Sequence, residues 1–270
     1  MNAVRTLRPY FWLLALALLS GCASPSQHLD ERAAGLGYRR VVVRGDGFDH
    51  VAYIKDGHGA ANTALHVYLE GDGTPWVRKR VAAADPTPRT PLMFDLMSFD
   101  PAPSVYLGRP CYHGLKPGAC TPDMWTDQRY SEAVVASMSA ALDRLSVDYQ
   151  ALVLLGYSGG GTLAMLMAER QPKTETVITV AANLDTVRWA EMHKQQSLSG
   201  SLNPATRPAL PPRIRQMHFA GGDDDNVPPL LVRDAIARQQ GAEFKVFLKQ
   251  DHSCCWREVW MEILGGLAAD

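Results

Sequence analysis

The stretch "ALVLLGYSGGGTLAMLMAER", residues 151–170, decides how the rest of the chain is read. A short apolar run breaks at Gly156-Tyr157-Ser158-Gly159-Gly160, and a segment of small and apolar residues follows. An unbroken apolar run of this length suits a strand buried on both faces, as in a parallel sheet. Glycines two residues before and after Ser158 remove side chains where strand and helix approach around a sharp turn. Such a turn exposes the serine hydroxyl and puts the Gly159 N–H at a helix start, where it is free to donate to an anion. Gly161 then lets the helix pack closely. Ser158 is therefore a candidate nucleophile.

A serine hydroxyl needs a base near neutral pH, and the base needs an orienting acid. Both occur downstream, each after a predicted strand. "IRQMHFAGG" (214–222) leads into "DDDNVPP", and "EFKVFLKQ" (243–250) leads into "DHSCCW". The frame Gly221-x-x-Asp224-x-x-Val227-Pro228 resembles the loop that carries the triad acid in α/β-hydrolases, which favours Asp224, with Asp223 and Asp225 close rivals for register and Asp185 a more distant one. His252 is the favoured base. His50, His58 and His66 precede the serine, His113 lies between two cysteines, His218 is mid-strand, and His193 falls in an irregular segment where substrate contact is an alternative. The turn "YLEGDGTPW" resembles the His-Gly-x-Gly turn of such hydrolases, with Glu70 in the histidine position; that resemblance implies the second oxyanion donor is the backbone N–H of Asp72, or of Gly73 next to it, with the Asp72 carboxylate turned away.

Around these points strand and helix alternate. "YRRVVVRGDGFDHVAYIKDG" reads as an antiparallel hairpin turning at Gly45-Asp46-Gly47, residues 64–73 and 103–110 as strands, and 131–145 as a helix capped by Ser131. Strands at 150–156 and 176–182 and helices at 160–170, 228–240 and 254–267 complete the pattern. The expected fold is a mostly parallel, doubly wound α/β sheet with an antiparallel N-terminal hairpin. Its ligand site is expected at the carboxyl ends of the strands. Residues 183–212 stand where folds of this kind insert a small lid, with Leu184, Trp189, Met192 and Leu198 as candidate acyl-pocket residues or, equally, as ordinary core contacts. Trp125 and Arg129 are candidates for the cleft mouth.

The N-terminus "MNAVRTLRPYFWLLALALLSGC" has Arg5 and Arg8, an apolar stretch and small residues, the layout of a secretory signal. Its end resembles a bacterial lipobox, which implies cleavage after residue 21 and lipid on Cys22. Ala23 in the next position favours the outer membrane, facing the periplasm. Residues 22–36 are expected as lipidated cysteine and polar tether, and 37–270 as one domain.

Of the 5 cysteines, Cys111, Cys120, Cys254 and Cys255 follow the anchor, and an exported chain pairs them as disulfides. The local pair Cys111–Cys120 is favoured. A direct Cys254–Cys255 bond is expected to be strained, so cross-pairing stays open. No zinc-like clustering of ligands is present, so no metal is expected. A formal net charge of −1 with mixed signs gives no nucleic-acid footprint.

Taken together, the EGDG turn, the GYSGG elbow, the GxxDxxVP loop and the final histidine resemble the α/β-hydrolase superfamily. "YLGRPC", "WTDQRYSEAVV", "NLD" with "GSLNP", and "DHSCCW" resemble a group of proteobacterial lipoprotein hydrolases. The resemblance implies a carboxylesterase- or lipase-like serine hydrolase. Ser158 would attack, His252 move the proton, Asp224 orient His252, and Gly159 with Asp72 or Gly73 hold the oxyanion. Neither organic cofactor nor metal is required, and the implied partner is a small-molecule or lipid ester. Peptidase, amidase or acyltransferase chemistry at the same triad, and a non-catalytic envelope scaffold, are the alternatives.

Overall fold

The computed structural model describes residues 23–56, 64–78, 80–116 and 118–268. Cys22 and the signal-like segment before it lie outside these residues.

Strands β1 (Arg39–Arg44) and β2 (Asp49–Lys55) form the expected hairpin, paired antiparallel in the register Arg44↔Asp49. Its turn uses Gly47 at φ +80°. Then follow β3 (Leu65–Leu69), a two-stranded ribbon of β4 (Trp76–Val77) and β5 (Val81–Ala82), helix α2 (Leu92–Met97) and β6 (Ser104–Leu107). An earlier helix, α1 (Pro25–Gly35), precedes the hairpin. The second half supplies α3 (Glu132–Leu145), β7 (Leu152–Tyr157), α4 (Gly159–Ala168), β8 (Thr174–Val180), α5 (Thr186–Met192), β9 (Arg215–Gly221), α6 (Pro229–Ala235), β10 (Glu243–Phe247) and α7 (Trp256–Gly265).

Eight strands form one sheet in the order β1-β2-β6-β3-β7-β8-β9-β10. The β1/β2 and β2/β6 pairs are antiparallel and the other five neighbours are parallel. The period-2 alternation of strand side chains feeds two cores. Leu152 and Leu154 of β7 join the cluster under α3, α4 and α6, whereas Val153 and Leu155 join the one under α1, α2 and α7. The uninterrupted apolar run of β7 thus follows from burial on both faces. All ten residues of α4 are buried, as expected of a helix pressed against the sheet centre.

Two expectations need correction. Residues 22–36 were expected as a tether, but 25–35 are helical. Ser24 and Gln27 close a capping box around Pro25, and Leu29 and Ala33, four residues apart, bury against the domain. Polar residues on the remaining faces hide this pattern in the sequence. Cys254 and Cys255 are bonded directly to each other, with Cys255 at φ +75°, while Cys111 pairs with Cys120 as expected. The cross-pairing alternative is excluded because each partner is already used.

The segment 183–212 is tied to the rest of the domain. The Leu202 N–H donates to Tyr130 O at 3.0 Å, the Gly200 N–H to Asp127 at 2.9 Å, and the Ala205 N–H to Leu184 O at 3.0 Å. Leu184 is core and Leu198 packs on it, so neither lines an open acyl pocket.

Candidate active site

Ser158 stands between β7 and α4 with φ +51° and ψ −121°, a conformation strained for a residue with a Cβ. The turn is as tight as the glycines suggested. A Cβ on Gly160 would lie 2.0 Å from Leu69 O, and one on Gly156 would lie 2.3 Å from Gly160 O. The serine is held by its own N–H, which donates to Val180 O at 2.9 Å.

His252 follows β10, and its Nε2 is 3.1 Å from Ser158 Oγ. Its Nδ1 is 2.9 Å from Asp224 Oδ2. The other Asp224 oxygen accepts the backbone N–H groups of Asn226 and Val227 at 2.8 and 2.7 Å. The Asp224 side chain is fully buried and that of His252 is 21% exposed. Asp223 and Asp225 are exposed, which separates the three adjacent acids. The two loops are tied together: the Gly222 N–H donates to Phe247 O at 2.8 Å and the Asp223 N–H to Gln250 O at 3.1 Å. On the far side, Trp256 Nε1 donates to the carbonyls of Asp251 and His252. The backbone that carries the imidazole is thus held from both directions.

The other candidates are used elsewhere. Asp185 caps α5 and accepts from Asn203. His193 Nε2 lies 2.8 Å from Asn226 O and its ring packs on Trp189. His50, His113 and His218 are buried, and burial lowers the pKa of each to about 4. Trp125 is buried, away from the mouth, whereas Arg129 and Trp189 line the cleft. Met192 is exposed and does not line it.

The EGDG turn departs from expectation in one respect. The Asp72 carboxylate does not turn away; it lies against the Gly159 Cα, where a Cβ would be 2.0 Å from Asp72 Oδ1. Its charge is met by Arg109 at 2.9 Å, Arg129 at 2.7 Å and the Tyr130 hydroxyl at 2.7 Å. Burial alone would raise its pKa, but the two guanidiniums and the phenol outweigh burial and hold it at about 2. Two cations around one carboxylate leave a net positive charge beside the serine. Gly73, at φ +69°, presses the turn against Pro86 O. Glu70, in the position where related turns carry histidine, faces the other way and accepts from the Gly71 and Met93 N–H groups. Burial pushes its pKa up to about 7.

Arg109, Tyr130 and Asn183 were missed as site residues. The signal for the first two was Asp72 itself: a carboxylate in a tight, buried glycine turn requires cationic partners. Asn183 follows β8 and lines the cleft, and its Oδ1 is buried without a partner among the described residues. Among the described residues, no group of three or more His, Cys, Asp or Glu is placed to hold a metal ion.

An eight-stranded sheet with this order, a strained serine between its fifth-placed strand and the following helix, and an acid and a histidine after the last two strands together define the α/β-hydrolase fold. Solved structures agree. An esterase of Pyrococcus furiosus aligns with TM-score 0.60 at 11% identity, covering 93% of this chain and 94% of its own. An α/β serine hydrolase homologue from Coxiella burnetii gives 0.56 at 14%, covering 85% and 95%. A serine hydrolase of Xanthomonas campestris, described as lacking a lid, gives 0.54 at 11%, covering 85% and 91%. No protein-family model matches the sequence, and no curated protein matches it.

Proposed function

We propose that this protein is a serine hydrolase that cleaves a carboxylic ester-type bond through an acyl-enzyme. The observation that carries this reading is the strained Ser158 with its Oγ 3.1 Å from His252 Nε2, while Nδ1 of the same ring is held by Asp224. In the reaction Ser158 Oγ adds to the ester carbonyl as His252 Nε2 takes its proton. The tetrahedral intermediate collapses with loss of the alkoxide, which receives that proton from His252. Water, deprotonated by the same nitrogen, then releases the acid and restores Ser158. Asp224 fixes the tautomer that presents a bare Nε2 and stabilises the imidazolium. The Gly159 N–H, at the start of α4, and the Asp72 N–H are the assigned oxyanion donors, with Gly73 the alternative to Asp72. The excess positive charge of the Arg109–Asp72–Arg129 group acts in the same direction.

We further infer attachment to the outer membrane, facing the periplasm, through lipid on Cys22. The support is the "LLSGC" sequence after a basic and apolar start, together with the likeness to lipoprotein hydrolases. Among the described residues no helix is long and apolar enough to cross a membrane.

One experiment tests both. Cells expressing the full chain are treated with a fluorophosphonate probe and fractionated. A labelled band is expected in the membrane fraction, lost in Ser158→Ala and moved to the soluble fraction in Cys22→Ala. Labelling that survives in folded Ser158→Ala would refute the nucleophile, and a membrane band that Cys22→Ala leaves in place would refute the anchor.

A further inference from the structure

The cleft in front of Ser158 and His252 encloses about 390 Å³. Among the described residues its walls carry no aliphatic side chain other than proline: Leu184 is sealed in the core, and Tyr157, Trp189, Asn183 and Asn226 are among the lining residues. A long acyl chain finds no apolar channel there.

Its charges are unevenly matched. Asp72 is saturated by Arg109, Arg129 and Tyr130. Asp224 is used by His252 and two backbone amides. Glu70 is turned to the N-terminus of α2. Among the described residues the remaining charged group lining the cleft is Arg89, an exposed side chain at its rim with no protein carboxylate paired to it. The transient oxyanion is served by the cluster at Asp72, which leaves Arg89 for a second negative charge.

Nor is Arg89 on a slack loop. It belongs to Pro86-Thr87-Pro88-Arg89-Thr90-Pro91, in which three prolines fix φ. This strap is fastened on three sides. Thr87 Oγ1 accepts the His113 N–H at 2.7 Å and lies 3.1 Å from Ser26 Oγ of α1, and Pro86 O accepts the Thr74 N–H at 2.9 Å. The last contact joins it to the oxyanion turn, so the Arg89 backbone has a fixed position relative to the serine.

Building on the ester-hydrolase reading, we propose that the cleft selects short-acyl esters bearing an ionised carboxylate, which the guanidinium of Arg89 recognises. Planar, two-point hydrogen bonding makes a guanidinium suited to that group.

The test compares hydrolysis of 4-acetoxybenzoate with that of 4-acetoxybenzamide, which carry the same acetyl group and differ in charge, each rate normalised to its uncatalysed hydrolysis. The wild type is expected to favour the benzoate in kcat/KM, and added salt to erode the preference. Arg89→Gln is expected to lower the benzoate-to-benzamide ratio about tenfold, the size of one charged hydrogen bond, and Arg89→Lys to restore part of it. A ratio unchanged in Arg89→Gln, or a wild type without preference, overturns the inference and leaves the ester-hydrolase reading standing. Absence of Ser158-dependent turnover of both esters overturns that reading and the inference with it.

Discussion

Within "DDDNVPP" the three carboxylates are chemically identical, and only their surroundings separate them. Asp224 has no exposed side-chain surface, and both its oxygens are occupied, one by two backbone N–H groups and one by His252. Asp224→Asn keeps the shape but replaces an acceptor with a donor, so the imidazole is driven to the wrong tautomer. Its kcat/KM is expected to fall by roughly 10³- to 10⁴-fold. Asp223→Asn and Asp225→Asn, at exposed positions, are expected to stay within about twofold. Steady-state kinetics on a p-nitrophenyl ester decides it, and a larger loss at either neighbour would refute the assignment. Sequence alone left the register open because one residue's shift moves an acid from solvent to core without changing composition. A finer cue was present: acceptance from the N–H groups two and three residues on is the hydrogen-bonding habit of an Asx turn, and counted from Asp224 the third residue is the apolar Val227, which is buried. The nucleophile was readable because it ends an unbroken apolar run, and the base because it follows a strand in which apolar and charged residues alternate. The Asp72 clamp was not, because its arginines arrive from segments 37 and 57 residues away.

At the scale of elements, the loop between β6 and α3 has a specific task. It delivers Arg109 and Arg129 to one carboxylate, and the Cys111–Cys120 bond closes the chain between them. Closing a loop of this length restricts the unfolded chain by about 3 kcal/mol. A Cys111→Ser/Cys120→Ser variant is expected to lose roughly that much in urea unfolding, with a lower kcat as the clamp loosens. An unchanged urea midpoint would show that the loop is held by its other contacts. Two of the helices that escaped the sequence reading share a cause. Helices α2 and α5 have 6 and 7 residues, too few for a helical period to register. Helix α2 also lacks a side-chain cap of its own; Glu70 accepts from its Met93 N–H, 23 residues away in sequence. Such a start is set by tertiary contact, not by local signals, whereas Ser131 capping α3 was legible because cap and helix adjoin.

For the molecule as a whole, the two-sided sheet places three histidines where water does not reach: His50 on β2, His218 on β9 and His113 in the disulfide loop. Burial lowers each pKa from 6.5 to about 4, so the folded chain binds fewer protons than the unfolded one between those values. Stability therefore rises with pH across that window: it is fully present above about 6.5 and is lost as pH falls toward 4. Glu70 acts in the opposite sense. Burial raises its pKa from 4.5 to about 7, so the fold holds its proton more tightly and is favoured as pH falls through that range. At about 1.4 kcal/mol per pKa unit the groups are individually similar, on the order of 3 kcal/mol each, and three histidines outweigh one glutamate. The free energy of unfolding, measured in urea at fixed ionic strength, is accordingly expected to drop between pH 6.5 and 4. His218→Asn should be less stable at pH 7, because a buried ring is removed, yet show a shallower decline, since one group no longer has to charge on unfolding. A wild-type profile flat over this range, or a His218→Asn slope equal to that of the wild type, would show that these histidines do not govern the acid limit of the fold.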